Sequence, residues 1–257
     1  MPSDTTSPEP QPTTGPHAAT GPTPGPHARR LVDAHVRSLY RVAGDGGLVE
    51  TNEGRPRPAP RVFVGRSADG AVCHTRRGLA PALAAELRRL ADRLPPLPDP
   101  IEDPAVYAAL EAALEADAPV TGRWLGPAFH FVEPPLPVPA DVVEIDSGDH
   151  PGFVGPFTDF VADLDQHRPF FGIVRAGAVV AGGFSARTTD DAAEAGVNTN
   201  VEHRGQGFAA TVVNAWRTAV EHAGRTPLYS TSYDNASSRA VARRLGLRQY
   251  AETCWLT

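Results

Sequence analysis

The pattern of apolar and polar positions changes character several times along the chain. Residues 1–28 carry mainly Pro, Thr, Gly and Ser with almost no large apolar side chain. Such a segment has nothing to bury against the entropy of ordering, so a disordered tail is expected there. Between Arg29 and Pro139 the pattern is that of a first folded region. RVFVGRSADGAVCHT reads as two short β pieces around a Ser-Ala-Asp-Gly turn, and Leu83, Leu87, Leu90 and Leu94 fall on one helical face. A second helix is predicted near Pro104 to Asp117, with Val106, Leu110 and Leu114 aligned, after a break at Pro95, Pro96, Pro98 and Pro100. PPLPVP at 134–139 then reads as a semi-rigid linker.

Residues 140–257 read β, α, β, β, β, α, β, α, β. VVEI at 142–145 opens the series, followed by an aromatic helix or turn region through Phe153, Phe157 and Phe160. FGIV and VVAGGFSA flank Ala176-Gly177 and predict a hairpin. The next strand, about 193–201, leads into a glycine-rich turn. The helix after it turns Val212, Val213, Trp216, Ala219, Val220 and Ala223 inward and stops at Gly224, a favoured position beyond a helix end. LYSTS at 228–232 and RQYAETCWL at 248–256 supply the last strands. Strands with interposed helices indicate an α/β sheet layered by helices.

Composition narrows the function classes. A chain of 257 residues with 41% apolar content can bury one large or two modest cores. Net charge is −6, all 24 basic residues are arginine, and no long basic cluster occurs. Nucleic acid and anionic membranes are therefore not the expected partners. No leader-like pattern opens the chain and no run of about 18 apolar residues appears, so a cytoplasmic location is expected. Cys73 and Cys254 are expected as free structural thiols. The Cys73-His74 pair lacks metal-ligand spacing, and no metal is expected.

The chemistry concentrates at residues 204–209, RGQGFA, where an extended stretch gives way to a helix. Free N–H groups and the positive dipole end of a helix start attract an anion, and glycines let the main chain approach it closely. Three phosphate-binding patterns compete. GxxxxGK[ST] is absent from a chain that has no lysine. GxGxxA is met by Gly205, Gly207 and Ala210, with Asp234 beyond, but only 23 residues follow Asp234, too few for further βα repeats. GVNTNVEHR is also too polar for a strand buried on both faces of a parallel sheet.

The third pattern, [RQ]xxGx[GA], is met by Arg204, Gly207 and Ala209, and it resembles the coenzyme A pyrophosphate loop of the GNAT superfamily of N-acetyltransferases. The run PLYSTSYDNASSRAVARRLGLRQY is similar to that superfamily's next segment: a strand, then Asn235 near a helix start, Ser238 three later, and Gly246 with Leu247 at the helix end. The resemblance spans roughly residues 141–257 and looks closest to bacterial members with an extra N-terminal region. It implies a GNAT-like mixed, mostly antiparallel sheet layered by helices over 140–257, beside a smaller N-terminal α/β region over 29–139. It also implies acetyl-CoA as acyl donor, held by Arg204, Gly205, Gln206, Gly207, Phe208 and Ala209, by Asn235 and Ser238, and by main-chain groups of Val197 and Thr199 pairing with the pantetheine arm.

Acetyl transfer to an amine needs a neutral nitrogen, a stabilised carbonyl oxygen and a tolerable thiolate leaving group. Glu194, on the strand that carries Val197 and Thr199, is the candidate general base, and Asn198 is a candidate for orienting substrate or water. Many superfamily members carry a tyrosine seven residues after the helix Asn, but Ala242 stands there in this chain. Tyr233 is the substitute candidate for general acid, with water as the alternative. Asp159, Asp163 and Asp165 with Phe153, Phe157, Phe160 and Phe170 read either as an acidic, aromatic acceptor pocket or as a helix with an apolar inner face. The expected activity is acetylation of a small-molecule amine by direct attack in a ternary complex. A non-catalytic acyl-CoA sensor and a protein-amine acetyltransferase are the rival readings.

Overall fold

The computed structural model describes residues 26–98, 105–146 and 151–257. Helix α1 (Pro26–Leu39) leads into the small hairpin β1 (Tyr40–Val42) and β2 (Leu48–Thr51). Strands β3 (Val62–Ser67) and β4 (Gly70–Thr75), helices α2 (Pro81–Ala91) and α3 (Ala105–Glu115), and strand β5 (Arg123–His130) follow. Next come β6 (Val142–Glu144), two 3-10 segments at Gly155–Ala162 and Leu164–His167, and strands β7 (Phe170–Arg175), β8 (Ala178–Thr188) and β9 (Ala192–Thr199). A 3-10 turn at Val201–His203, helix α4 (Phe208–His222), strand β10 (Thr226–Ser230), helix α5 (Ala236–Arg244) and strand β11 (Arg248–Leu256) complete the described chain.

Nine strands form one mixed sheet in the order β4-β3-β11-β5-β10-β9-β8-β7-β6. Every neighbouring pair is antiparallel except β10 with β9, which α4 connects as a crossover. The sheet does not stop at the boundary expected at 139/140. The C-terminal β11 lies between β3 and β5, and β5 lies between β11 and β10, so both halves of the chain share one hydrogen-bonded ladder.

Helix α1 corrects the expected tail. Residues 1–25 lie outside those described, but Pro26 to Ala28 begin this helix rather than end a tail. Proline suits a first helical turn, and Ala28, Leu31, Val32, His35 and Val36 recur on a buried stripe. That stripe packs on Phe63, Ala128, Leu228, Tyr250 and Ala251 across one face of the sheet. Helices α2 and α3 cover the opposite face at Val62, Val64, Cys254 and Leu256. Helix α4 lies on β8 and β9 so closely that a Cβ at Gly183 would sit 2.7 Å from the backbone of Val212.

The predicted hairpin is present: β7 and β8 pair across Ala176 (φ 49°) and Gly177 (φ 79°), both left-handed as a tight primed turn requires. The aromatic region at 153–160 folds as 3-10 helix, and its rings pack together rather than open a pocket. Phe153, Phe157, Phe160 and Phe170 meet one another and Phe184 at centroid distances of 4.5 to 6.3 Å. Cys73 and Cys254 are free thiols, each pushed up to about 12 by burial. Among the described residues no helix is long and apolar enough to cross a membrane.

Candidate active site

The parallel pairing of β9 with β10 covers only Thr226↔Ala192, Pro227↔Ala193 and Leu228↔Glu194. Beyond Glu194, β9 continues to Thr199 without β10 beside it, so main-chain groups from Ala195 onward face a gap instead of a ladder partner on that side. The gap is the mouth of a cleft of about 700 Å³, lined among others by Val197, Thr199, Tyr229, Ser230 and Asn235.

The glycine-rich turn closes one end of this cleft. Gly205 (φ 77°) and Gly207 (φ 84°) are both left-handed, and Gly207 is the N-cap of α4 with no side-chain cap. The first N–H groups of α4 are thus left open to an anion. A Cβ on Gly207 would lie 2.9 Å from the Arg244 guanidinium, which stands over the turn as a cation from α5. Thr199 Oγ1 is buried without a partner at the same end. On the far wall Asn235 caps α5 by accepting from Ser238 N at 3.0 Å, and Tyr229 OH lies 2.7 Å from Ser238 Oγ. Arg204, Gly205, Gly207, Phe208, Ala209, Asn235 and Ser238 all line the cleft with Val197 and Thr199, whereas Gln206 is exposed and does not. An uncapped helix start, an adjacent guanidinium and an orphaned hydroxyl suit a diphosphate and its polar arm.

Glu194 is buried and points to the opposite side of β9 from Ala193, Ala195 and Val197, which pack under α4. Its Oε1 accepts from Ser230 Oγ and lies 3.3 Å from His35 Nε2 of α1. A β-bulge in β8 between Ser185 and Arg187 sets Arg187 across from Glu194, with its guanidinium 3.7 Å from Oε2. Burial alone would raise the carboxyl, but the His35 and Arg187 charges and the hydrogen bonds from His35 and Ser230 outweigh it and hold Glu194 down to about 2. Oε2 itself has no hydrogen-bond partner, nor has His35 Nδ1.

Glu194 and His35 line a second chamber of about 430 Å³, with Tyr40, Trp124, Ser230 and Trp255 among its walls. Ser230 and Trp124 line both the cleft and this chamber, so the two cavities adjoin at those side chains. His35, Arg187 and Ser230 were not candidates in the sequence. The signal for His35 was the helical recurrence of Ala28, Leu31, Val32 and His35, whereas a bulge such as that beside Arg187 leaves no local mark.

The structure does not bring Tyr233 to this junction. Its hydroxyl donates to Glu252 Oε2 at 2.5 Å, and Glu252 also accepts from Tyr107 OH at 2.7 Å and from Arg66 Nε at 3.1 Å. Burial and the Glu252 carboxylate push the Tyr233 phenol well up. Tyr233 is absent from the cleft walls. Ala242 is buried between α5 and α4, against Val213 and Trp216. Asp159 and Asp163 edge a third, polar cavity of about 890 Å³ with Glu53, Gln166 and Arg187, while Asp165 lies 4.0 Å from Arg168.

Residues 153–254 match the family model described as GNAT acetyltransferase. No curated protein matches the chain. Among solved structures, a GNAT-family protein from Novosphingobium aromaticivorans is 21% identical, covering 53% of this chain and 65% of its own, with a TM-score of 0.44. This chain thus spans about two thirds of that protein's length, at 65%. A GCN5-related N-acetyltransferase-like protein from Streptococcus suis is 16% identical over 77% of this chain and 85% of its own, with a TM-score of 0.44. A GNAT-family acetyltransferase from Colwellia psychrerythraea is 14% identical over 89% and 94%, with a TM-score of 0.40. Over residues 153–254 the chain is thus similar to the GNAT acetyltransferase family.

Proposed function

We propose that the protein transfers an acetyl group from acetyl-CoA to the amine of a small molecule by direct attack in a ternary complex. The observation that carries this reading is the meeting of cleft and chamber at Ser230, with the Glu194 carboxylate behind it. Acetyl-CoA supplies the thioester carbon that the amine attacks. The turn at Gly205 and Gly207, with Arg204 and Arg244, holds the diphosphate, and the β9 main chain at Val197 and Thr199, on the side where β10 no longer pairs, holds the pantetheine arm. A chamber of about 430 Å³ lies in the range of about 300–1,000 Å³ typical of small-ligand pockets.

The acceptor nitrogen reaches the thioester past Ser230. Holding an alkyl amine neutral at pH 7 costs about 4 kcal/mol. A carboxylate held well below its ordinary value by His35 and Arg187 is a weak proton acceptor, so Glu194 is not where that proton comes to rest. Glu194 instead accepts the N–H, directly or through the Ser230 hydroxyl, and balances the positive charge that nitrogen gains on attack while water takes the proton. The thiolate leaves without a dedicated acid, since a thiol titrates near 8.5.

A thiol-release assay with acetyl-CoA and a panel of amines tests the reading, beside calorimetric titration of the coenzyme. Release that depends on an amine and yields its acetamide supports it. Absence of coenzyme binding, or tight binding with no turnover on any small amine, overturns it.

A further inference from the structure

The chamber beside Glu194 also carries information about what kind of amine it accepts. Taking the chamber as the acceptor site, as above, we infer that the substrate is a monoamine whose nitrogen is attached to a flat apolar body. Three observations converge on this. First, Glu194 is the single acidic side chain among the described residues lining the chamber, and its Oε2 is buried with no hydrogen-bond partner. That oxygen can take one N–H donor. A polyamine or an aminoglycoside would bring further ammonium groups against Arg57 and Arg187, which also line the chamber.

Second, those two guanidiniums are not free to bind an acidic substrate. Arg57 and Arg187 both pair with Glu53, and Arg187 also faces Glu194. A carboxylate or phosphate on the acceptor would have to displace a carboxylate already in place, so a zwitterionic amino acid is disfavoured. Third, the wall away from Glu194 is aromatic. Trp124 and Trp255 lie in register on β5 and β11, with rings stacked at 6.4 Å and an interplanar angle of 7°. Both are only part-buried and both line the chamber. Ser230 and Trp124 sit at the junction with the cleft, so a nitrogen held there leaves its body to extend along Trp255 towards Thr257. Broad indole surfaces gain most from a flat apolar partner.

The test compares 2-phenylethylamine with spermidine, kanamycin, glycine and an N-terminal peptide at saturating acetyl-CoA, with acetylated products identified by mass. The expected result is a kcat/KM for 2-phenylethylamine about tenfold or more above each of the others. Titration of 2-phenylethylamine into the coenzyme-loaded protein should change tryptophan fluorescence in a saturable way. Trp216, the third tryptophan of the chain, is fully buried and should contribute only a constant background. Trp255→Ala should raise KM for the aryl amine about tenfold with coenzyme affinity unchanged, and the unmodified protein's fluorescence titration stands if that variant fails to fold. Preference for spermidine, kanamycin, glycine or the peptide while the coenzyme binds overturns this inference; with the first three, small-amine acetylation still stands. Failure of the coenzyme to bind at all overturns both.

Discussion

His35 and Glu194 meet at 3.3 Å across 159 positions of sequence, one from the N-terminal helix α1 and the other from the strand that borders the cleft. The contact ties a segment outside the matched family region to the candidate catalytic carboxylate. Both side chains are almost fully buried. Removing either partner therefore strands a polar group away from water.

Glu194→Gln should lower kcat for amine acetylation about 100-fold or more, the range typical of losing a group placed against charge that develops in the transition state. Coenzyme affinity should stay within about twofold, because Glu194 faces the chamber rather than the cleft that we assign to the coenzyme. Steady-state kinetics paired with calorimetry separate the two quantities, and a parallel loss of both would place Glu194 in structure rather than chemistry.

His35→Ala should destabilise the fold by about 1–3 kcal/mol, since Glu194 loses a buried partner, and should also lower kcat. His35→Gln, whose amide nitrogen can take the place of the imidazole Nε2 and donate to Oε1, should recover part of kcat. Recovery of stability without any recovery of kcat would show that His35 serves the fold alone; denaturant melts and turnover measured on the same preparations make the comparison.

Acid should remove a stabilisation that Glu194 provides. Its folded value of about 2 lies below the ordinary 4.5, so ionisation favours the folded state above pH 4.5 and the advantage fades as pH falls towards 2. The groups facing it are His35 from α1, Arg187 from β8, Ser230 from β10, Tyr250 from β11 and Tyr40 beyond α1. Thermal melts of the unmodified protein and Glu194→Gln should differ most near neutrality and converge below pH 4. The kcat/KM profile should carry no inflection at the ordinary carboxylate value; an acid limb centred there would contradict the depressed carboxyl.

Local pattern made part of this site legible. The turn at Gly205 and Gly207 with the helix that follows, and Asn235 with Ser238, are each built from residues near in sequence, and their local geometry follows from capping and positive φ. The β7–β8 hairpin was readable for the same reason. Helix α1 was hidden because its first turn continues the Pro and Gly composition of the segment before it. The face of Glu194 depended on strand alternation, the placing of Arg187 opposite it depended on a bulge in β8, and the placement of β11 between β3 and β5 depends on partners more than 100 residues away. The phenylalanines at 153–170 show the opposite difficulty, since a run of rings looks alike whether it lines a pocket or fills a core.

Gly207→Ala should weaken acetyl-CoA binding more than Gly205→Ala does. Both positions have positive φ, so each alanine carries about 1 kcal/mol of backbone strain. At Gly205 nothing lies within 4 Å of the added methyl, whereas at Gly207 it meets the Arg244 guanidinium at 2.9 Å. The guanidinium ends a flexible side chain and can move aside, but it then leaves its place over the turn. Calorimetry should register the gap between the two variants, and equal effects would argue against Arg244 as a phosphate partner.

Tyr233→Phe should leave kcat within about twofold of the unmodified protein and lower stability by about 1 kcal/mol, the usual contribution of one hydrogen bond. The hydroxyl is committed to Glu252, which Arg66 and Tyr107 share, and so links the turn after β10 to β3 and α3. A phenol pushed up by burial and by an adjacent carboxylate is a poor proton donor to a departing thiolate, whose conjugate thiol titrates near 8.5. Proton transfer between them would run uphill, and Tyr233 does not line the cleft where the thiolate would form. A drop in kcat of about 100-fold with an unchanged melting temperature would reverse this assignment and return Tyr233 to the role of general acid.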